Sequence, residues 1–354
     1  MNIESIDQSK FVAEHLNSRM DTLAANCNFS GTILLAHQGA VLFNKGYGYA
    51  NLGTGELNQL NTAFRIASIT KIFTSVAILK LLEQGHLQLN NKLSLYLSDF
   101  PRGDEITIHH LSSMTSGITN RMERIPFADQ TKPINLTQLV NIIKQLKLEY
   151  EPGAKFNYSN LNYTILACII EKVSGMSYAE FLHKYIFDPL GMRNSYVDDG
   201  SIKINQAIGY TLELGQLSPF KSPYDLSWAF GSGNIRSTSR DLFLFNNGLH
   251  NKILLNDELW NLMQTPIVQT GWDYWPQKGS SYGYGLVVNP NYNNELTLGH
   301  GGGIGSFSAY LFHFLSKNLN IVVLSNNDIF DLRSQEFFTN LEAIIFGEIL
   351  DTQQ

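Results

Sequence analysis

Ser68-Ile-Thr-Lys71, Tyr158-Ser-Asn160 and His300-Gly-Gly302 follow one another along the chain. Together they hold a hydroxyl nucleophile, two groups that carry protons and a glycine-rich stretch. A serine hydroxyl holds its proton tightly at neutral pH, so an attacking serine needs a base within hydrogen-bond reach. On a helix, residues three apart lie one turn above each other, which lets Lys71 face the Ser68 hydroxyl. Lysine serves there as base or proton relay once burial and neighbouring donors lower its pKa.

Each pattern has other copies. Serine–x–x–lysine recurs at Ser218-Pro-Phe-Lys221, tyrosine–x–asparagine at Tyr49 and Tyr292, and histidine–x–glycine at His37. Context separates them. Ser218 sits in a proline-bearing loop, where no helix aligns serine with lysine. Only Tyr158 follows a tight turn, at Pro152-Gly153, between the serine helix and the late strands. Only His300 stands at the junction of two late strands.

The elements that must position these residues are legible from periodicity. Phe11, Leu16, Met20 and Leu23 predict a first amphipathic helix. Gly31–Ala36 and Val41–Lys45 predict two strands joined by a turn at His37-Gln-Gly39. The serine helix is expected from about Ser68 to Gln84, apolar on its faces and therefore central, with Gly85 as its stop. Helical patterns follow at 136–148, 161–174 and 177–186. Strands return at 285–288, 296–299, 306–312 and 321–325, and a last helix covers roughly 331–349. The expected fold is α+β: one antiparallel sheet flanked by helices, completed by both chain ends, with a mostly helical lobe inserted. The boundaries place 1–100 and 231–354 in the sheet lobe and 101–230 in the insertion. A catalytic cleft is expected where the lobes meet.

The ordered set resembles the penicillin-recognising serine hydrolases, a superfamily of serine β-lactamases, D-alanyl-D-alanine peptidases and related esterases. Tyrosine at the head of the second motif is similar to the class C β-lactamase and D-Ala-D-Ala carboxypeptidase branch. Ile106–Leu111 with Thr115-Ser-Gly117, Pro189–Met192, Gly233–Thr238 with Asp241, and Tyr284-Gly-Leu286 carry the likeness from about Gly31 to Phe346. The resemblance implies the antiparallel fold and an acyl-enzyme on Ser68. It implies Lys71 as proton acceptor, and Tyr158 as the shuttle that serves the leaving group and then water. Asn160 is implied to orient the substrate amide and Lys71. The N–H groups of Ser68 and Gly303 are implied as the oxyanion hole, with Gly301, Gly302 and Gly303 bringing a strand edge close to substrate.

His300 departs from the lysine of many β-lactamases. Histidine is only partly charged at neutral pH and donates from a neutral ring. The expected enzyme is therefore a hydrolase of a peptide, amide or ester, carboxypeptidase-like or esterase-like, with penicillin binding as a side reaction. Two alternatives keep the scaffold: an acyltransferase, and a catalytically silent penicillin-binding-type protein. Intact Ser68, Lys71 and Tyr158 argue against the silent form.

Other patterns lead elsewhere. Gly279-Ser-Ser-Tyr-Gly283 matches the α/β-hydrolase nucleophile elbow, but a strand-like stretch follows it where that elbow needs a helix. His109-His110 has no carboxylate or cysteine at ligand spacing, so neither a metal nor any cofactor is expected. Cys27 and Cys168 lie among apolar residues as buried free thiols. With 354 residues, 44% apolar, 16% charged and a net charge of −6, the chain is globular and unsuited to nucleic acid. It has no run of 18 apolar residues, so no membrane span is expected. Residues 1–28 show no secretory signal, which predicts a cytoplasmic protein, or an extracytoplasmic one if the chain is a trimmed form. The expected partner is a small-molecule or peptide substrate. Loop 118–135 and the stretch Trp272 to Trp275 are the candidate pocket walls.

Overall fold

The computed structural model describes residues 3–120, 129–272, 279–292 and 295–349. Much of the candidate loop 118–135 and nearly all of the stretch after Trp272 therefore lie outside the described residues.

The organising element is an eight-stranded antiparallel sheet. From one edge to the other it runs Val268–Gln269, Ser281–Tyr282, Val287–Tyr292, Glu295–Ile304, Phe307–Phe314, Leu319–Ser325, Gly31–His37 and Ala40–Tyr47. The first two strands of the chain thus pair onto the last, Gly31 opposite Ser325 and His37 opposite Leu319. Side chains alternate between the two faces of a strand. Val322 and Leu324 enter the core beneath one face, together with Leu34, Ala36, Ala309 and Leu311. Ile321 and Val323 enter a second core with Ile33, Leu35, Phe312 and Phe314 on the other. Both faces are covered, which is why these strands read as continuous apolar runs.

The helices Ile3–Asn26 and Ile329–Ile344 supply the lid of the second core, where Leu16, Met20 and Leu23 meet Phe330, Phe337 and Leu341. The serine helix, Thr70–Glu83, lies in the first core. Every residue from Thr70 to Leu79 is buried. Gln84 caps it, and Gly85 takes the left-handed conformation with φ +75°.

Within residues 101–230 helices outweigh strands, with Ile108–Ser112, Leu136–Ile143, Asn160–Ser174 and Tyr178–Leu182 as the principal pieces among long loops. The region also holds the hairpin Tyr210–Glu213 with Gln216–Pro219, and Ser218 lies in its second strand rather than on a helix. A small sheet of Phe64–Arg65, Ile235–Ser237 and Tyr196–Val197 ties it to the segments around the serine. Beneath this sheet, Asp198 Oδ2 accepts from Arg65 Nε at 3.0 Å and from Arg236 Nε at 2.7 Å. No helix among the described residues is long and apolar enough to cross a membrane.

Candidate active site

Ser68 sits in a single 3-10 turn, Ala67–Ile69, that leads directly into the serine helix. The residue before it, Ala67, has φ +46°. Any L-residue is disfavoured there, and a β-branched one most, so the turn that presents Ser68 is held in a strained backbone conformation by its surroundings. The strand Glu295–Ile304 runs against this turn. A Cβ at Gly302 would stand 2.5 Å from the Ile66 carbonyl oxygen and 2.8 Å from the Ser68 nitrogen, so only glycine permits the approach. At Gly303 a Cβ would meet nothing within 4 Å, and this residue lines a cavity with Ser68.

Lys71 is fully buried, and its Nζ donates to Ser68 Oγ at 2.9 Å and to the Ser232 carbonyl at 2.8 Å. Burial holds its pKa well below the ordinary lysine range. Ser232 went unremarked in the sequence, because it acts through its backbone. Its carbonyl is aimed by stitches to the same helix: Thr74 Oγ1 donates to the Gly231 carbonyl at 2.7 Å, and Thr70 Oγ1 accepts from Ile235 N–H at 3.3 Å.

Tyr158 and Asn160 arrive on the loop that opens the helix Asn160–Ser174. That loop is pinned by Ser159 Oγ donating to the Thr119 carbonyl at 2.9 Å and Asn160 N–H donating to Asn120 Oδ1 at 2.8 Å. Lys71 Nζ lies 4.9 Å from the centre of the Tyr158 ring. The ring packs among Trp272, Tyr282 and His300 at 5.6, 6.3 and 6.0 Å between centroids. Asn160 faces the same cavity as Ser68. Lys71 gives its two hydrogen bonds to Ser68 and Ser232, not to Asn160.

His300 is only 2% exposed. Its Nδ1 contacts the Gly301 carbonyl, and its Nε2 stands 3.4 Å from the Tyr282 hydroxyl. A carbonyl only accepts, so the ring proton sits on Nδ1 and Nε2 presents a lone pair. Burial, with the Lys71 charge nearby, lowers its pKa to about 3, so the ring is neutral across the physiological range. The sequence marks Tyr282 only as part of the Gly279–Gly283 pattern. Ser281 and Tyr282 form a short strand, and Ser281 Oγ accepts from Gln269 Nε2 at 2.9 Å, which is no nucleophile elbow.

The adjacent histidines are structural here. His109 Nδ1 pairs with the Tyr284 hydroxyl at 2.7 Å, while His110 completes a capping box with Thr107. Cys27 and Cys168 are free and buried.

A buried lysine bonded to a helix serine, under an antiparallel sheet whose glycine edge touches that serine, defines a serine hydrolase. The family model described as Beta-lactamase matches residues 16–340, and the chain belongs to that family. PbpX of Bacillus subtilis (strain 168), provisionally named a penicillin-binding protein, is 30% identical over 94% of this chain and 81% of its own. An octameric penicillin-binding protein homologue from Pyrococcus abyssi superposes with a TM-score of 0.77 at 29% identity, covering 90% of this chain and 76% of its own. The D-amino acid amidase of Ochrobactrum anthropi SV3 shares the fold, with a TM-score of 0.82 at 20% identity over 96% and 99% of the two chains.

Proposed function

We propose that this serine hydrolase acts through an acyl-enzyme on an amide or ester, with Ser68 as nucleophile and Lys71 as its base. The observation that carries the reading is the 2.9 Å hydrogen bond from a fully buried Lys71 to the Ser68 hydroxyl. A desolvated lysine is pushed toward its neutral form, and only the neutral amine accepts the serine proton. Tyr158, in contact with Lys71 through its ring, is assigned the proton transfer to the leaving group and then from water. The N–H groups of Ser68 and Gly303 are assigned the oxyanion, and Asn160 the substrate amide. We place these groups at the seam between a sheet lobe (1–100, 231–354) and a helical lobe (101–230).

That penicillin-binding proteins and an amidase stand among the similar proteins supports acyl transfer to serine as the shared chemistry. The test is intact-protein mass spectrometry with a fluorophosphonate, comparing wild type with Ser68→Ala. One adduct on the wild type and none on the variant is expected. Equal labelling of both would sink the assignment.

A further inference from the structure

The cavity beside Ser68 measures about 190 Å³. Ser68, Gln130, Asn160 and Ser232 give it a polar but neutral lining, and Tyr224, Trp228 and Ile304 add larger, more apolar surfaces. Among the described residues no aspartate, glutamate, lysine, arginine or histidine lines it. The Trp228 indole N–H is already given to the Lys132 carbonyl at 3.0 Å, so the ring presents an apolar surface. An apolar cavity of roughly 150 Å³ takes up benzene, so the space here suits a group of about phenyl size.

Among the described residues, the two basic side chains beside Ser68 do not present a charged donor to a ligand. Lys71 is sealed from solvent and spends its hydrogen bonds on Ser68 and the Ser232 carbonyl. His300 is buried, its proton directed at the Gly301 carbonyl and its lone pair at Tyr282. A carboxylate brought here would lose its water without gaining an ion pair from any of the described residues.

Resting on the serine-hydrolase reading above, we infer that the substrates are neutral esters or amides that place a phenyl-sized apolar group in this cavity and bear no carboxylate. In the acylation step the Ser68 Oγ–carbonyl carbon bond forms and the bond to the leaving alcohol or amine breaks. The serine proton ends on that leaving group. Water then cleaves the acyl-enzyme, releasing the carboxylic acid and restoring the serine proton.

The test compares p-nitrophenyl phenylacetate with p-nitrophenyl 4-carboxyphenylacetate, which differ by one charge at the end of the ring. The neutral ester should show a kcat/KM higher by about 100-fold, the scale of an unpaired charge taken from water. Ile304→Lys, which sets a cation in the wall, should shrink that ratio by at least about tenfold, as a new charge pair would. Equal or reversed rates on the wild type would overturn the inference. So would failure to turn over either ester while a fluorophosphonate still labels Ser68, which leaves the hydrolase reading standing. Absence of that labelling would remove both.

Discussion

Lys71 Nζ lies 2.9 Å from Ser68 Oγ, and the lysine has no exposure to solvent. Burial lowers its pKa well below 10.5, so between the folded value and 10.5 the unfolded chain binds a proton that the folded chain does not. Stability therefore rises with pH through that window, and the burial cost is largest below it. Lys71→Met should be more stable than wild type in urea, with the difference narrowing as pH rises toward 10.5. The same variant should lose about 100- to 10,000-fold in kcat, the range of a lost general base. A stable variant that keeps its turnover would remove Lys71 from the mechanism.

Tyr158 separates packing from proton transfer. Its ring contacts Trp272, Tyr282 and His300, contacts that phenylalanine preserves. Tyr158→Phe should keep its melting temperature within a few degrees while kcat falls by about 100-fold or more. Thermal unfolding and steady-state kinetics on one preparation decide this, and unchanged kcat would clear the hydroxyl of any role.

Gly302 and Gly303 are neighbours with opposite expectations. An added methyl at Gly302 meets backbone atoms of Ile66 and Ser68, which cannot swing aside. Gly302→Ala should push the strand off the nucleophile, and a displacement near 1 Å costs about 100-fold in rate. Gly303→Ala meets no atom within 4 Å and keeps its N–H. It should retain fluorophosphonate labelling at a rate within about tenfold of wild type, since one methyl at an open position costs little. If both variants label equally slowly, close contact is not what Gly302 provides.

What the residue pattern disclosed follows from physics that acts locally. The Ser68–Lys71 spacing is a helical turn, and the strand runs at 31–36 and 321–325 are apolar because both sheet faces are covered. Ser232 left no trace because its carbonyl would be present with any residue there. Ala67 was equally silent, since its φ of +46° belongs to no composition signal and would more commonly be marked by glycine. His300 showed its departure from lysine, but not that its ring is sealed off with its proton on Nδ1. Only the packing of Tyr282 and the Gly301 carbonyl around it fixes that state. The small sheet through Asp198 was missed because strands of two or three residues carry too little periodicity to detect.

That small sheet supplies a further test. Asp198 is almost fully buried between Arg65 and Arg236, and Arg236 also donates to the Ala63 and Ala207 carbonyls. Removing the carboxylate would leave Arg236 charged and unpaired beneath the segment that enters the Ser68 turn. Asp198→Ala should cost about 3–5 kcal/mol in chemical denaturation. A loss below about 1 kcal/mol would mean that the guanidinium finds water or another partner, as at an exposed pair.

Acid should unfold this protein through its histidines. Burial holds His300 and His250 at about 3 and His313 at about 4, against an ordinary value of 6.5. His250 and His313 stack with ring centroids 3.7 Å apart, which adds like-charge repulsion once both are protonated. Between those folded values and 6.5 the unfolded chain carries protons that the folded chain refuses. The histidines' contribution to stability is therefore full above pH 6.5 and declines as pH falls, by up to about 1.4 kcal/mol per pH unit for each histidine. Urea titrations at pH 7.5, 6, 5 and 4 should show the midpoint dropping steeply over the last three. In His250→Phe the ring contact with Trp260 and the stack on His313 persist without the proton site, so its slope should be shallower. Because His300 stays neutral from pH 8 down to pH 5, kcat/KM should show no inflection from it near 6.5. A slope in His250→Phe as steep as in wild type would mean that His250 takes up its proton without opening the fold.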